Sequence, residues 1–89
     1  MTDPDPEHLR AAGETLERAA AAMETSNAER AREQAAALTA LADRERGPDH
    51  GRLARHENAL RELQEATDGE AVAAALAGIR RYREQLPGV

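Results

Sequence analysis

Apolar residues recur along this chain at alternating spacings of three and four, with polar residues between them. Leu9, Ala12, Leu16, Ala19 and Met23 form the first such stripe, the spacing that places side chains on one face of an α-helix. Asp5 followed by Pro6 supplies its start, because an Asp side chain accepts from free first-turn amides and Pro suits the first helical position. The stripe lapses at "ETSN", residues 24–27, where Ser26 and Glu29 stand at capping-box spacing. A second stripe of Ala31, Ala35, Leu38, Leu41 and Ala42 predicts a helix over about residues 28–45, stopped by Gly47 and Pro48. Its alanines allow two helix backbones to approach closely, so it is expected to pack on the first helix as an antiparallel hairpin.

A third stripe starts at Asp49 and carries Leu53, Ala59, Leu60, Leu63 and Ala66. A fourth carries Val72, Ala75, Leu76, Ile79, Tyr82 and Leu86, ending before Pro87 and Gly88. Continuing the third register of 53, 56, 60, 63 and 67 would turn Glu70, Arg81 and Glu84 inward, so the phase breaks between the two stripes. The junction "ATDGE" offers Thr67 and Glu70 as a second capping box, with Gly69 beside them. The expected fold is an all-α, up-and-down antiparallel bundle of four segments. Its alternative is a three-helix bundle with a long bent last helix. A chain of this size holds a single core, which makes residues 1–89 one helical-bundle domain.

Composition makes that core thin. Nine Leu, one Ile, two Val, two Met and one Tyr are joined by no Phe or Trp, so Ala fills most remaining apolar positions. Burying a Leu stabilises by roughly 1.5–3 kcal/mol and an Ala by much less, against about 1–2 kcal/mol of backbone entropy for each ordered residue. Self-association would relieve that narrow margin. The absence of Cys removes disulfides and thiolate metal sites. No run of 18 apolar residues is present, and "MTDPDPEHLR" lacks a cationic region followed by an apolar one, so a cytoplasmic protein is expected.

The formal net charge is −5, and all twelve basic residues are Arg. Abundant Ala with Arg in place of Lys points to GC-rich coding, and the acidic excess suits a salt-rich cytoplasm. A negative field disfavours nucleic acid and anionic membranes, although molar salt screens it over about 3 Å.

The stretch "RGPDHGRLARHEN", residues 46–58, concentrates the candidate chemistry. Asp49 reads as the N-cap of the third helix, accepting from Gly51 or Arg52, with His50 in the solvated first turn. Helical zinc ligands stand at i and i+4, whereas His50 and His56 lie six apart, about 120° around the helix, and no HExxH or ExxH pattern occurs at His8, His50 or His56. No metal or cofactor is implied. With Leu53 at zero on a helical wheel, His56 falls at about 300°, between Leu60 and Leu63, so it should face the bundle and hydrogen-bond a carboxylate or carbonyl. A phosphotransfer bundle would need an exposed His followed by an apolar residue and Lys-Gly; here Glu57, Asn58 and Ala59 follow His56. Ser26 is the one Ser, there is no Cys, and the twelve Glu read as solvated, so no catalytic constellation emerges.

Arg44, Arg46, Arg52 and Arg55 surround the Gly-Pro turn, opposed by Glu45 and Asp49. A helix, short turn and Arg-bearing helix is the outline of a helix-turn-helix, but Glu57, Glu62 and Glu65 farther along count against it. Glu57 and Arg61 stand at i and i+4 as a helical ion pair, and Arg80, Arg81 and Arg83 complement the negative end of the last helix dipole.

The runs "LADRERGPDHGRLARHENALREL", residues 41–63, and "IRRYREQLPGV", residues 79–89, resemble a family of small acidic haloarchaeal helical proteins of unknown function. The resemblance implies a salt-adapted cytoplasmic bundle and carries no activity, ligand or catalytic residue. The expected role is a non-catalytic interaction or assembly module, with a protein partner or a second copy meeting an alanine-lined face. Asp49, His50, Arg52, Arg55 and His56 are its candidate polar site. The competing expectation is a nucleic-acid-binding regulator using the Arg-rich turn at 44–55.

Overall fold

Each apolar stripe forms one helix in the computed structural model, which describes residues 4–44, 47–67 and 69–86. These are α1 (Glu7–Ala20), α2 (Thr25–Ala42), α3 (His50–Ala66) and α4 (Glu70–Gln85). Packing joins α1 to α2, α2 to α3, α3 to α4 and α4 back to α1, which is the ring of a four-helix bundle. Cross-helix contacts show every neighbouring pair to be antiparallel: Arg10 meets Asp43, Gln34 meets His56, Glu57 meets Arg83, and Asp5 meets Gln85. The four-segment expectation therefore holds over the three-helix alternative. Extended backbone at Thr67 (φ −132°, ψ 151°) and Gly69 (φ −81°, ψ 137°) separates α3 from α4.

Leu9, Leu16, Leu38, Leu53, Leu60, Leu63, Val72 and Ile79 are fully buried and line the bundle axis. Alanines complete the core on α2, where Ala28, Ala31, Ala35 and Ala42 are buried. The small residues govern helix separation. At Gly13 a Cβ would stand 2.7 Å from Thr39 Oγ1 and 3.0 Å from the Ala35 carbonyl, and at Gly78 it would stand 3.0 Å from the His8 carbonyl. Glycine thus lets α1 seat closely against α2 on one side and α4 on the other. By contrast, α2 and α3 share the least extensive contact of the four neighbouring pairs.

Three boundary expectations are corrected. First, α2 begins at Thr25, with Ala28 N donating to the Glu24 carbonyl at 2.7 Å, so Ser26 lies inside the helix and does not cap it. The earlier start buries Ala28 and brings Asn27 Nδ2 to the Ala66 carbonyl at 3.5 Å. Second, α4 takes Gly69 as its N-cap without a side-chain hydrogen bond, and the buried Thr67 Oγ1 has no partner among the described residues. Third, α2 ends at Ala42, well before Gly47. Gly47 does not adopt left-handed backbone; a Cβ there would collide with the Tyr82 hydroxyl, so its small size serves close approach to α4. At the start of α1 the Asp5 carboxylate accepts from Glu7 N at 3.0 Å, with Pro6 immediately before the helix.

Candidate functional site

The five candidate residues gather at the start of α3, where a local cap sets the helix direction. Asp49 has extended backbone (φ −87°, ψ 173°) and its carboxylate accepts from Arg52 N at 2.8 Å. From that fixed start, 100° per residue sends successive polar side chains to two different seams.

On the α2 side, His56 is half-buried and its Nδ1 donates to Gln34 Oε1 at 2.7 Å. An amide oxygen can only accept, so the neutral imidazole keeps its proton on Nδ1 and its lone pair on Nε2. Burial, followed by the positive charge of Arg52, lowers the His56 pKa below the ordinary histidine value. The neutral form is favoured.

On the α4 side stands a second polar cluster. Glu57 is buried, and its carboxylate accepts from Arg83 Nη1 at 2.9 Å and from Arg61 Nη2 at 3.3 Å. Arg83 also donates through Nε to His50 Nδ1 at 3.2 Å, which puts the His50 proton on Nε2. That Nε2 is buried without a partner among the described residues. The solvated first-turn placement expected for His50 is thereby corrected: the ring turns toward α4, where Arg83 reaches it. The dipole role assigned to Arg83 is likewise incomplete, because Glu57 is its principal partner.

The remaining candidates are cationic. Arg52 and Arg55 are exposed, and with Arg44 from α2 they rim a groove of about 460 Å³ whose floor is Ala37, Ala40 and Leu41. None of the three guanidiniums forms an ion pair among the described residues, nor do Arg30, Arg80 and Arg81, while Arg10, Arg18, Arg32, Arg61 and Arg83 all do. The neighbouring described acids are engaged elsewhere: Asp49 accepts from backbone, Asp43 pairs with Arg10, and Glu57 pairs with Arg61 and Arg83. Arg46 and Glu45, also read from the turn, lie outside the described residues.

Chemically, Glu57 is held between guanidiniums and is poorly placed to act as a base, and His56 has no nucleophile among the residues lining its groove. Among the described residues no group of three His, Asp or Glu is placed to hold a metal ion. No described helix is long and apolar enough to cross a membrane. Gln34 and Arg83 are the site residues that sequence reasoning missed. Each lies on another helix, and only the phase of its own helix gives a local signal.

Residues 4–85 match the model described as Family of unknown function (DUF7553). No curated protein and no solved structure matches the chain.

Proposed function

The chain belongs to this family of unknown function, and we propose that it acts as a non-catalytic helical interaction or assembly module in a salt-adapted, haloarchaeal-type cytoplasm. The observation that carries the reading is the division of labour on α3. Its buried chemistry, Glu57 and His50, is engaged in holding α4, whereas Arg52 and Arg55 project into a groove without internal counter-charges. A surface of that kind serves contact with another molecule. The net charge of −5 and the exclusive use of Arg support the salt-adapted part of the reading.

Sedimentation equilibrium and cross-linking mass spectrometry in a native high-salt lysate test the proposal. A specific complex, with a partner or a second copy, is the expected result. A strictly monomeric particle with no cross-linked partner refutes it.

The unpaired arginines also favour a second reading, a nucleic-acid-binding regulator. It requires a sequence-dependent gel shift that weakens when Arg52 and Arg55 are neutralised and that falls with salt.

A further inference from the structure

Several arginines of this acidic protein form no ion pair among the described residues, and in the α2–α3 groove three of them converge on one surface. Arg44 just past the end of α2 and Arg52 and Arg55 on the first turns of α3 converge over alanine and leucine, and among the described residues the groove lining contains no carboxylate. The groove runs along the seam with the least extensive contact of the four neighbouring helix pairs. We propose that this groove docks a short acidic segment of a partner protein, its carboxylates meeting Arg44, Arg52 and Arg55 and an adjacent aliphatic side chain resting on Ala37, Ala40 and Leu41. The inference rests on the interaction-module reading and specifies the surface and the partner chemistry.

Three features favour an acidic peptide over nucleic acid. The floor is aliphatic and offers methyl contacts, while base stacking calls for exposed aromatic faces, and the sole aromatic residue, Tyr82, is buried. The positive rim is also short: Glu62 and Glu65 are exposed farther along α3 and would face the phosphates of a duplex extending beyond the groove. A few carboxylates fit within the rim without reaching them. Finally, guanidinium forks donate bidentately to carboxylates, so a small number of contacts gives orientation as well as charge neutralisation.

His56 supplies an internal reporter. The groups facing it are Gln34 from α2, Arg44 at the groove edge, and Arg52 and Arg55 from its own helix. A bound carboxylate offsets this positive surrounding, so the imidazole should titrate at higher pH in the complex than in the free protein.

The probe is a fluorescein-labelled, capped helical peptide of about 14 residues bearing Glu and Leu on one face, titrated by anisotropy beside a labelled duplex of about 20 base pairs. Saturable peptide binding is expected, weakened about tenfold or more by R52E/R55E, with R80E/R81E within about twofold of wild type. Arg80 and Arg81 are exposed on α4, so this second variant imposes the same charge change elsewhere. Peptide addition should raise the His56 titration midpoint followed by NMR. Should R52E/R55E lose helical signal in circular dichroism, R52Q/R55Q replaces it with the same expectation. Absence of saturable peptide binding, equal loss in R80E/R81E, or tighter binding of the duplex would each overturn the inference. Cross-linking in lysate keeps the two levels distinct: a partner retained equally by R52E/R55E removes the groove but leaves the interaction module standing, whereas no complex at all removes the module.

Discussion

Replacing Glu57 by Gln isolates the charge that ties α3 to α4. The substitution keeps side-chain volume and one acceptor oxygen, so packing against Arg83 is preserved while the carboxylate charge is lost. Glu57 is 11% exposed and Arg83 32%, whereas Arg61 is 54% exposed. The Arg61 link is therefore screened and contributes little. The Arg83 link matters more. The amide oxygen still accepts a charge-assisted bond from Arg83, so what is lost directly is the ion-pair attraction, about 1 kcal/mol at the upper end for pairs of this exposure. Leaving the partly buried guanidinium without a counter-charge adds to it, but one-third exposure lets water recover part of that cost, and about 1.5 kcal/mol is the expected total.

For a domain of this size such a loss lowers Tm by roughly 6–12 °C. Urea denaturation followed by circular dichroism at 222 nm checks the free energy, and a double-mutant cycle with Arg83→Gln should return a coupling of about 1 kcal/mol. The paired replacement E57L/R83M should recover only part of the loss, because a matched apolar pair carries no desolvation cost but leaves His50 Nδ1 without its Arg83 donor. A Glu57→Gln stability within about 0.3 kcal/mol of wild type, or a coupling indistinguishable from zero, would refute the claim that this carboxylate organises the seam.

Folding should also respond to His56. Its pKa is lowered in the folded state, so the unfolded chain binds the proton more readily, and the stability arising from this group is present above the unfolded pKa of about 6.5 and lost as pH falls below it toward the folded value. Comparing wild type with His56→Gln by urea denaturation between about pH 7.5 and pH 5 should show a shallower acid-side decline in the variant; identical profiles exclude the effect. Asp49→Ala should cost about 1 kcal/mol through loss of the cap on Arg52 N, measured by thermal unfolding. Two glycines should respond in opposite directions: Gly13→Ala should destabilise by about 1 kcal/mol because overpacking against Thr39 and Ala35 exceeds the helix-propensity gain, while Gly51→Ala should stabilise by about 0.5–1 kcal/mol, its nearest neighbour being at ordinary contact distance.

The features that can be read in the sequence are those decided within one turn or one helix. Asp49 as a cap needs only amides two or three residues on, and the sequence narrows the donor to Gly51 or Arg52, of which Arg52 is the one used. The inward bearing of His56 and the break between α3 and α4 both follow from phase on a single helix. Partners lie beyond that range. Gln34 reaches His56 across 22 residues and Arg83 reaches Glu57 across 26, and the sliding of one helix along another depends on how the whole core packs. Glu57 was read as a surface partner of Arg61 because that contact is local, although burial made Arg83 its stronger partner. The capping boxes at Ser26 and Thr67 failed for a related reason. Their spacing is correct, but burial of Ala28 extends α2 past one, and the second lies in a turn where Gly69 takes the cap. The role of Gly13 and Gly78 appears only when a neighbouring backbone is brought alongside.

These differences converge on an asymmetry of the bundle. Glycine and alanine draw α1 against both of its neighbours, where approach is set by backbone and small side chains and the ion pairs Arg10–Asp43 and Glu17–Arg32 link α1 and α2 from exposed positions. Helix α3 is held at longer reach, by Leu53, Leu60 and Leu63 toward the axis and by polar side chains on either flank. Its α4 flank is closed by a carboxylate between two guanidiniums. Its α2 flank has the His56–Gln34 and Asn27–Ala66 hydrogen bonds and, among the described residues that line the groove, no carboxylate to complete the charge pattern. The same spacing that makes α2–α3 the weakest seam thus leaves Arg44, Arg52 and Arg55 over an open aliphatic floor. A partner carboxylate there would perform on the α2 flank what Glu57 performs on the other, neutralising arginine at a helix interface. The chain's unusual polar residues accordingly divide by flank, with ties between helices on the α4 side and, on the α2 side, the unpaired arginines of the proposed docking surface.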